Sequence, residues 1–361
     1  MIPLIVDLEM EWRGGQNQVL LLLKGLYERG HAAELIAVKG SFLQHRARKE
    51  GIYIHTVSRK IMRLSAAAKI RSVLSDGRID LIHVNESHAL TGAWLAGAHR
   101  KIPLIVSRRV GYPLGKSPLA SARYRAASCI IANSEWVAQQ AVASGANPEK
   151  LRVVYEGVAI AARFSAEQRL VARMRWGVND DGPLLGCVGV LLPDKGQEYL
   201  IRALADLRKE IPNARLLLAG SGGHRGELEK LATSLHLSSS VIFTGFVKDI
   251  ESVYEAIDVF LFPALFEGLG TSLLAAMGYG IPSIAFRRCA FPEIIEDGKS
   301  GLLVEEPGLL LSAMKKLVAN HELARSIGEA GRKRVEQKFS VDKMVDETLA
   351  VYEELLGRTS A

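Results

Sequence analysis

Glu267, Gly268, Leu269, Gly270, Thr271 and Ser272 stand in a row between an apolar run at 258–262 and a helical run that continues to Tyr279. The two glycines let a backbone pass close to a ligand, and Thr or Ser at 271–272 is a good helix cap. A helix start presents unpaired N–H groups and the positive end of the dipole, which suits a phosphate. Glu267, just ahead of it, sets a carboxylate beside that phosphate, where sugar hydroxyls are natural partners. The same spacing is equally that of an ordinary strand, turn and helix whose glycines serve only geometry. Beyond it, Gly280-Ile281-Pro282 turns into a strand at 283–286, and 291–295 and 297–301 read as a short helix and a turn.

Three further stretches hold polar groups where strands should end. Gly14-Gly15 lies between a strand ending at Asp7 and a helix over 19–26, so the chain can pass near a ligand beyond the strand end. As structure alone it is a tight turn. The run from Asp80 to Ala89 places Glu86 and His88 at another strand end, where either could touch a bound molecule; a histidine bonded to a loop carbonyl is the plain alternative. The strand after it ends in Ser107-Arg108-Arg109, and the planar, permanently charged fork of arginine suits phosphate.

These positions need a scaffold that ends strands beside helix starts. Short apolar strands alternate with amphipathic helices along nearly the whole chain, which implies an α/β protein with parallel sheets. Strands are expected over 3–7, 33–37, 53–55, 81–84, 104–107, 129–133 and 152–155, with helices such as 16–29, 65–75 and 134–144 between them. Residues 158–178 show no strand character and read as a join. A second series follows at 184–188, 215–219, 241–244, 259–262, 283–285 and 301–304. Residues 341–356 form a last amphipathic helix with Met344, Thr348, Val351 and Leu355 along one face.

The totals agree with two domains of ordinary size in 361 residues. Hydrophobic residues at 48% and charged residues at 24% are the composition of a globular enzyme. Cys129, Cys187 and Cys289 are widely spaced, which argues against a disulfide framework or zinc site and for a reducing compartment. The opening MIPLIVDLEMEW reads as a first strand and not a signal peptide, and no apolar run approaches the roughly 20 residues of a spanning helix. A cytoplasmic location is expected. Residues 1–165 hold 23 Lys+Arg against 12 Asp+Glu, and the rest hold 23 against 27. The basic half suggests an anionic partner, or a solvated surface of no special purpose. No nucleic-acid motif accompanies it, so nucleic acid is not expected as a partner.

The stretch 262–303 resembles the donor-binding signature of the GT4 glycosyltransferases, retaining sugar transferases of the GT-B fold, whose pattern is EGxGxxxxEAMAxGxPVIA followed by PExIxDGxxGLLV. The opening WRGGxxQVLxLxxGLxxRGH is similar to many bacterial members that build surface glycans. The resemblance covers most of the chain and is strongest over 184–304. It implies two Rossmann-like doubly wound domains facing a central cleft: an acceptor-binding domain at 1–163, to which a helix at about 342–361 crosses back, and a donor-binding domain at 164–341.

Residue by residue, the resemblance implies a donor site of Gly14, Gly15, Val190, Lys195, Gly220, Gly245, Phe246, Val247, Glu267, Gly268, Leu269, Gly270, Thr271, Ser272 and Ala275. The segment 189–196 matches GRLxxxKG, in which Arg and Lys neutralise the donor diphosphate; Lys195 is present and the Arg position is Val190. A lone exposed lysine is the alternative. The loops at 220 and 245–247 resemble those that flank the nucleotide, the second holding the base by backbone contacts. Gly220 and Gly222 could equally do no more than turn a strand into a helix. The family's second acidic residue, eight positions after the first, is replaced by Ala275, which cannot bond a ribose diol. Arg13, Glu86, His88 and Arg109 are the acceptor-side candidates, with Arg109 where many members carry a histidine.

The implied reaction is retaining transfer of a hexosyl group from a nucleotide-diphosphate sugar to a glycan or lipid-linked acceptor, in cell-envelope polysaccharide or lipopolysaccharide synthesis. No metal or other cofactor is expected; Lys195, Glu267 and His88 would carry the chemistry. Residues 45–74 interleave Arg46, Arg48, Lys49, Arg59, Lys60, Arg63, Lys69 and Arg71 with Ile61, Met62, Leu64 and Ile70. Such a stretch can lie on the anionic inner face of a membrane, or be a helix pair with a charged outer face. With Ala275 and Val190 in place of expected ligands, the alternative reading is a degenerate GT-B protein that binds a glycan or partner without turnover. An epimerase or phosphorylase fits the fold but not the signature.

Overall fold

The computed structural model describes residues 1–114, 118–160 and 162–357. It divides into two compact units, Met1–Gly157 with Ser340–Ala361, and Val158–Phe339. In each, short runs of three to five residues become parallel strands under covering helices; the central ones are apolar and buried on both faces, while the edge strands are partly exposed.

The first unit holds β1 (Pro3–Asp7), β2 (Glu34–Val38), β3 (Tyr53–Val57), β4 (Leu81–Val84), β5 (Leu104–Arg108), β6 (Cys129–Ala132) and β7 (Leu151–Val153), in the order β3-β2-β1-β4-β5-β6-β7. Its inner strands are wholly buried, as in Pro3–Asp7 and Leu81–Val84. Alternate residues feed different cores. Leu4 and Val6 face one that includes Ala66, Ile70, Leu90 and Ala93 from helices Met62–Ser75 and Ser87–Ala96. Ile5 faces another that includes Leu23, Leu43, Val345 and Tyr352 from helices Gly14–Glu28, Phe42–Lys49 and Val341–Leu355. The chain's last helix is thus part of the first unit's core, and the final four residues expected in it lie outside the described residues.

The second unit holds β8 (Leu184–Val188), β9 (Arg215–Ala219), β10 (Val241–Gly245), β11 (Val259–Phe262), β12 (Ser283–Phe286) and β13 (Leu302–Val304), in the order β10-β9-β8-β11-β12-β13. Helices Gln197–Leu207, Arg225–Ser234 and Leu310–Ala319 share a core with Leu185 and Cys187 of β8. In both units the strand order reverses beside the first strand, between β1 and β4 and between β8 and β11. A crevice opens at such a switch point, outside the carboxyl ends of the strands. Asp7 ends β1 at the first, with Gly15, Asn85 and Glu86 beyond the strands there, and Lys195 and Glu267 follow the strands at the second.

Two expectations need correction. Residues 45–74 are not one amphipathic stretch: β3 interrupts them, and the flanking helices Phe42–Lys49 and Met62–Ser75 pack into the two different cores of the first sheet. Nor does Thr271 or Ser272 cap the helix Thr271–Gly278. The cap is Gly270 in the left-handed region at φ 101°, with no side-chain bond to the helix start. A β-carbon there would lie 2.9 Å from the Phe262 ring, so packing as well as dihedral selects glycine.

Candidate active site

In the second unit, β8 runs into a single 3-10 turn, Pro193–Lys195, closed by Gly196 at φ 68°. A β-carbon at Gly196 would sit 2.2 Å from the Pro263 carbonyl, so only glycine lets this turn lie against the loop after β11. Leu265 N–H donates to the Asp194 carbonyl at 2.8 Å and locks the two loops together. The consequence is local and chemical. Lys195 Nζ donates to Glu267 Oε2 at 2.8 Å and to the Phe266 carbonyl at 3.1 Å. Two residues 72 positions apart therefore form one half-buried ion pair beside the start of helix Thr271–Gly278. Gly268 N–H donates to the other oxygen, Glu267 Oε1, at 3.3 Å. Leu269 is buried, and Thr271, Ser272 and Ala275 are half-buried on the helix that follows.

The other donor-side candidates border the same switch point. Gly189 N–H donates to the Ala219 carbonyl at 2.9 Å, and Gly220 N–H to the Gly245 carbonyl at 3.0 Å, so the loops after β8, β9 and β10 adjoin. Gly220 has a packing reason of its own: a β-carbon there would fall 1.9 Å from the Gly189 carbonyl oxygen. Val190 is 48% and Phe246 71% exposed, while Val247 is half-buried. Two groups that sequence reasoning passed over lie here. The Arg225 guanidinium would be 3.5 Å from a β-carbon on Gly245. Cys289, a non-glycine residue at φ 49°, points Sγ at the Leu265 carbonyl, 3.7 Å away, and burial raises its thiol pKa. Neither has a spacing signal in the sequence.

In the first unit a polar chain crosses the carboxyl ends of the strands. Asp7 Oδ2 accepts from Gln16 Nε2 at 2.9 Å and from Asn85 Nδ2. Asn85 Oδ1 in turn accepts from Arg109 Nη1, and Arg109 Nε lies 2.8 Å from Glu156 Oε1. Burial raises the Asp7 pKa against the pull of these donors. Gly15 is tucked against this chain: a β-carbon there would touch Arg109 Cδ and Asn85 Nδ2, each at 3.7 Å. Gly14 opens helix Gly14–Glu28 and is exposed, and Arg13 binds Glu11 through Nε at 3.1 Å.

Glu86 and His88 take forms that their sequence did not reveal. Glu86 is the cap of helix Ser87–Ala96: its carboxylate accepts from the backbone N–H of His88 and from that of Ala89 at 2.6 Å. Burial pushes its pKa up to about 7; the backbone donors oppose the shift and the Asp7 carboxylate adds to it. His88 Nδ1 accepts from Arg63 Nε at 2.9 Å and Nη2 at 2.7 Å. Arginine cannot accept, so the neutral ring carries its proton on Nε2 and is a donor there. Burial, with the Arg63 charge, lowers the His88 pKa further from base-like behaviour at Nδ1.

Glu9, Glu86 and His88 have ligand atoms within 4.8 Å of one another. The group does not fit a divalent ion as arranged, because Nδ1 is taken, Nε2 is protonated and the Glu86 oxygens already accept amides.

A family model described as Glycosyltransferase Family 4 matches residues 12–162, and one described as Glycosyl transferases group 1 matches residues 169–334. A GDP-mannose-dependent phosphatidylinositol monomannoside mannosyltransferase of Mycolicibacterium smegmatis is 33% identical over 47% of this chain and 48% of its own length. A lipopolysaccharide core biosynthesis glycosyltransferase of Rhizobium meliloti is 29% identical over 64% of this chain and 66% of its own. Among curated relatives the chain spans about half the length of those it matches, 56%, 48% and 49% for three of them. The crystal structure of Anabaena Alr3699/HepE in complex with UDP and glucose superposes with a TM-score of 0.86 over 98% of this chain and all of that one, at 22% identity. The fold is therefore GT-B. With one model on each unit and the signature glycines and Lys195–Glu267 pair in the second, the chain belongs to the GT4-type glycosyltransferases.

Proposed function

We propose that the protein transfers a hexosyl group, with retention, from a nucleotide-diphosphate sugar to a glycan or lipid-linked acceptor of the cell envelope. The second unit takes the donor and the first the acceptor. The observation that carries this reading is the Lys195–Glu267 pair at 2.8 Å beside the start of helix Thr271–Gly278. A diphosphate leaving group gathers negative charge as the glycosidic bond breaks. Lys195 and the first amides of the helix are positioned to stabilise it without a metal. Glu267 accepts from sugar hydroxyls and fixes the pose. His88, with its proton on Nε2, is a donor to substrate oxygen, and the departing phosphate takes the acceptor's proton. The names of relatives support the class: the Rhizobium protein acts in lipopolysaccharide core biosynthesis, and the Anabaena protein holds UDP and glucose.

The test is a panel of UDP-, GDP-, ADP- and dTDP-sugars scored by thermal shift. One nucleotide should raise Tm by roughly 5 °C at a hundredfold excess over Kd. Lys195→Met should abolish that rise and lower kcat about 10²–10³-fold. No shift with any donor at millimolar concentration would overturn the reading in favour of a protein that binds without turnover.

A further inference from the structure

Arg225 stands where stability alone would not put it. It is the first residue of helix Arg225–Ser234, so its charge meets the positive end of the dipole. Glu229 accepts from its Nε at 2.7 Å, but with the acid four residues after the base, the weaker order for such a pair. Nη1 and Nη2 have no hydrogen-bond acceptor among the described residues. The guanidinium is nevertheless held in place. Its central carbon lies 5.8 Å from the centroid of the Phe243 ring on β10, and Nη1 is 3.5 Å from where a β-carbon on Gly245 would be. The backbone beneath it is laced together. Arg225 N–H donates to the Gly222 carbonyl at 3.3 Å, His224 N–H to the Leu191 carbonyl at 3.1 Å, and Leu191 N–H to the Ser221 carbonyl at 3.1 Å. A β-carbon on Gly222 would fall 2.1 Å from the Leu191 carbonyl oxygen. The loops after β8, β9 and β10 thus form one close-packed floor, ending at a half-buried fork of unused donors.

What reaches that fork follows from the proposed donor site, on which this step rests. With Glu267 fixing the sugar after β11 and Lys195 holding the diphosphate after β8, the nucleoside leads away from β11, across β8 and β9. Arg225 and Gly245 lie at the far end of that path, two strand spacings or about 10 Å from β8. That end suits a base carried on a ribose, not the diphosphate. Phe246, the next residue, adds an exposed ring there, and base faces stack on such rings. A guanidinium has donors and no acceptor. Guanine presents two adjacent acceptors, O6 and N7, and uracil presents O4, whereas adenine sets an amino donor beside N7.

We propose that Arg225 reads the base of the donor and selects one with a ring carbonyl, guanine or uracil, over adenine. The full chain would be titrated calorimetrically with GDP, UDP, ADP and inorganic pyrophosphate. Wild type should bind the better of GDP and UDP about ten- to hundredfold more tightly than ADP. Arg225→Met should bring that nucleotide to within about threefold of ADP, with ADP and pyrophosphate bound as in wild type. Arg225→Gln is a second probe should the methionine variant fail to fold. Its amide sets an acceptor beside its donors, so the preference should be lost in the same way. Three outcomes overturn the assignment while leaving the donor site standing: ADP bound by wild type as tightly as the better of GDP and UDP, an unchanged preference in both variants, or an equal loss for all three nucleotides and pyrophosphate. The last would make Arg225 a phosphate-neutralising cation, in the part of the arginine that position 190 lacks. No binding of any nucleotide would overturn the donor reading itself, and this assignment with it.

Discussion

Lys195 and Glu267 neutralise each other in the absence of ligand, which makes their substitutions asymmetric. A nucleoside diphosphate that arrives without a sugar meets an ammonium already partnered by a carboxylate 2.8 Å away. Glu267→Gln removes the competing charge, so plain diphosphate should bind several-fold more tightly while turnover falls. Lys195→Met leaves a half-buried carboxylate facing an anion, so diphosphate binding should fall at least tenfold; titration calorimetry distinguishes the two. Residues 72 positions apart carry no mutual spacing signal, and only the contact between two loops reveals the pair. The same holds for the Asp7–Asn85–Arg109–Glu156 chain. Two buried groups there predict opposite pH dependences. His83 bonds Tyr352 Oη at 2.6 Å and Ser107 Oγ at 2.7 Å, and burial lowers its pKa to about 3. Between about pH 3 and 6.5 the unfolded chain holds a proton that the folded His83 does not, so its contribution to stability is lost as pH falls through that window. Glu86 is the reverse: with a folded pKa near 7, its ionisation opposes folding, and that penalty fades as pH falls from 7 towards 4.5. In urea titrations, the stability difference between wild type and His83→Gln should therefore grow from pH 4.5 to 6.5. The difference from Glu86→Gln should shrink over the same range.

At the level of elements, the strands were legible because their signal is local. Runs such as Leu4-Ile5-Val6 and Leu216-Leu217-Leu218, wholly buried, have few other solutions at that length. What stayed hidden depended on which face an element covers. The basic run around β3 looked continuous, yet β3 sends its flanking helices into separate cores. The helix start at 271 looked as though it had a Thr cap, yet the Phe262 ring and a left-handed dihedral put glycine in that place. The glycine at 196 gives the sharpest test of this reading. Gly196→Ala must relieve a 2.2 Å clash with the Pro263 carbonyl, at a dihedral that L residues disfavour. Donor binding should be lost through displacement of Lys195, with a drop of a few degrees in Tm. A loss of stability with donor affinity intact would show that the loop does not position the lysine.

The molecule as a whole is two α/β units of different composition, and the last helix tells which unit owns the chain's end. Met344, Val345, Thr348, Leu349, Val351 and Tyr352 are buried in the first unit, where Tyr352 Oη also bonds His83. Burial of each large apolar side chain contributes roughly 1.5–3 kcal/mol. Five of them together rival the whole stability of about 5–15 kcal/mol of an ordinary domain. A chain ending at Phe339 should therefore lose the first unit while keeping the second. Hydrogen exchange read by mass spectrometry would show this directly. Peptides from β1, β4 and β5 should exchange within the dead time, and those from β8, β9 and β11 should keep their protection. Protection kept in both would mean that the helix is not needed by the core it enters. Protection lost in both would mean that the two sheets unfold as one cooperative body, and that a donor bound to the second would stabilise the first as well.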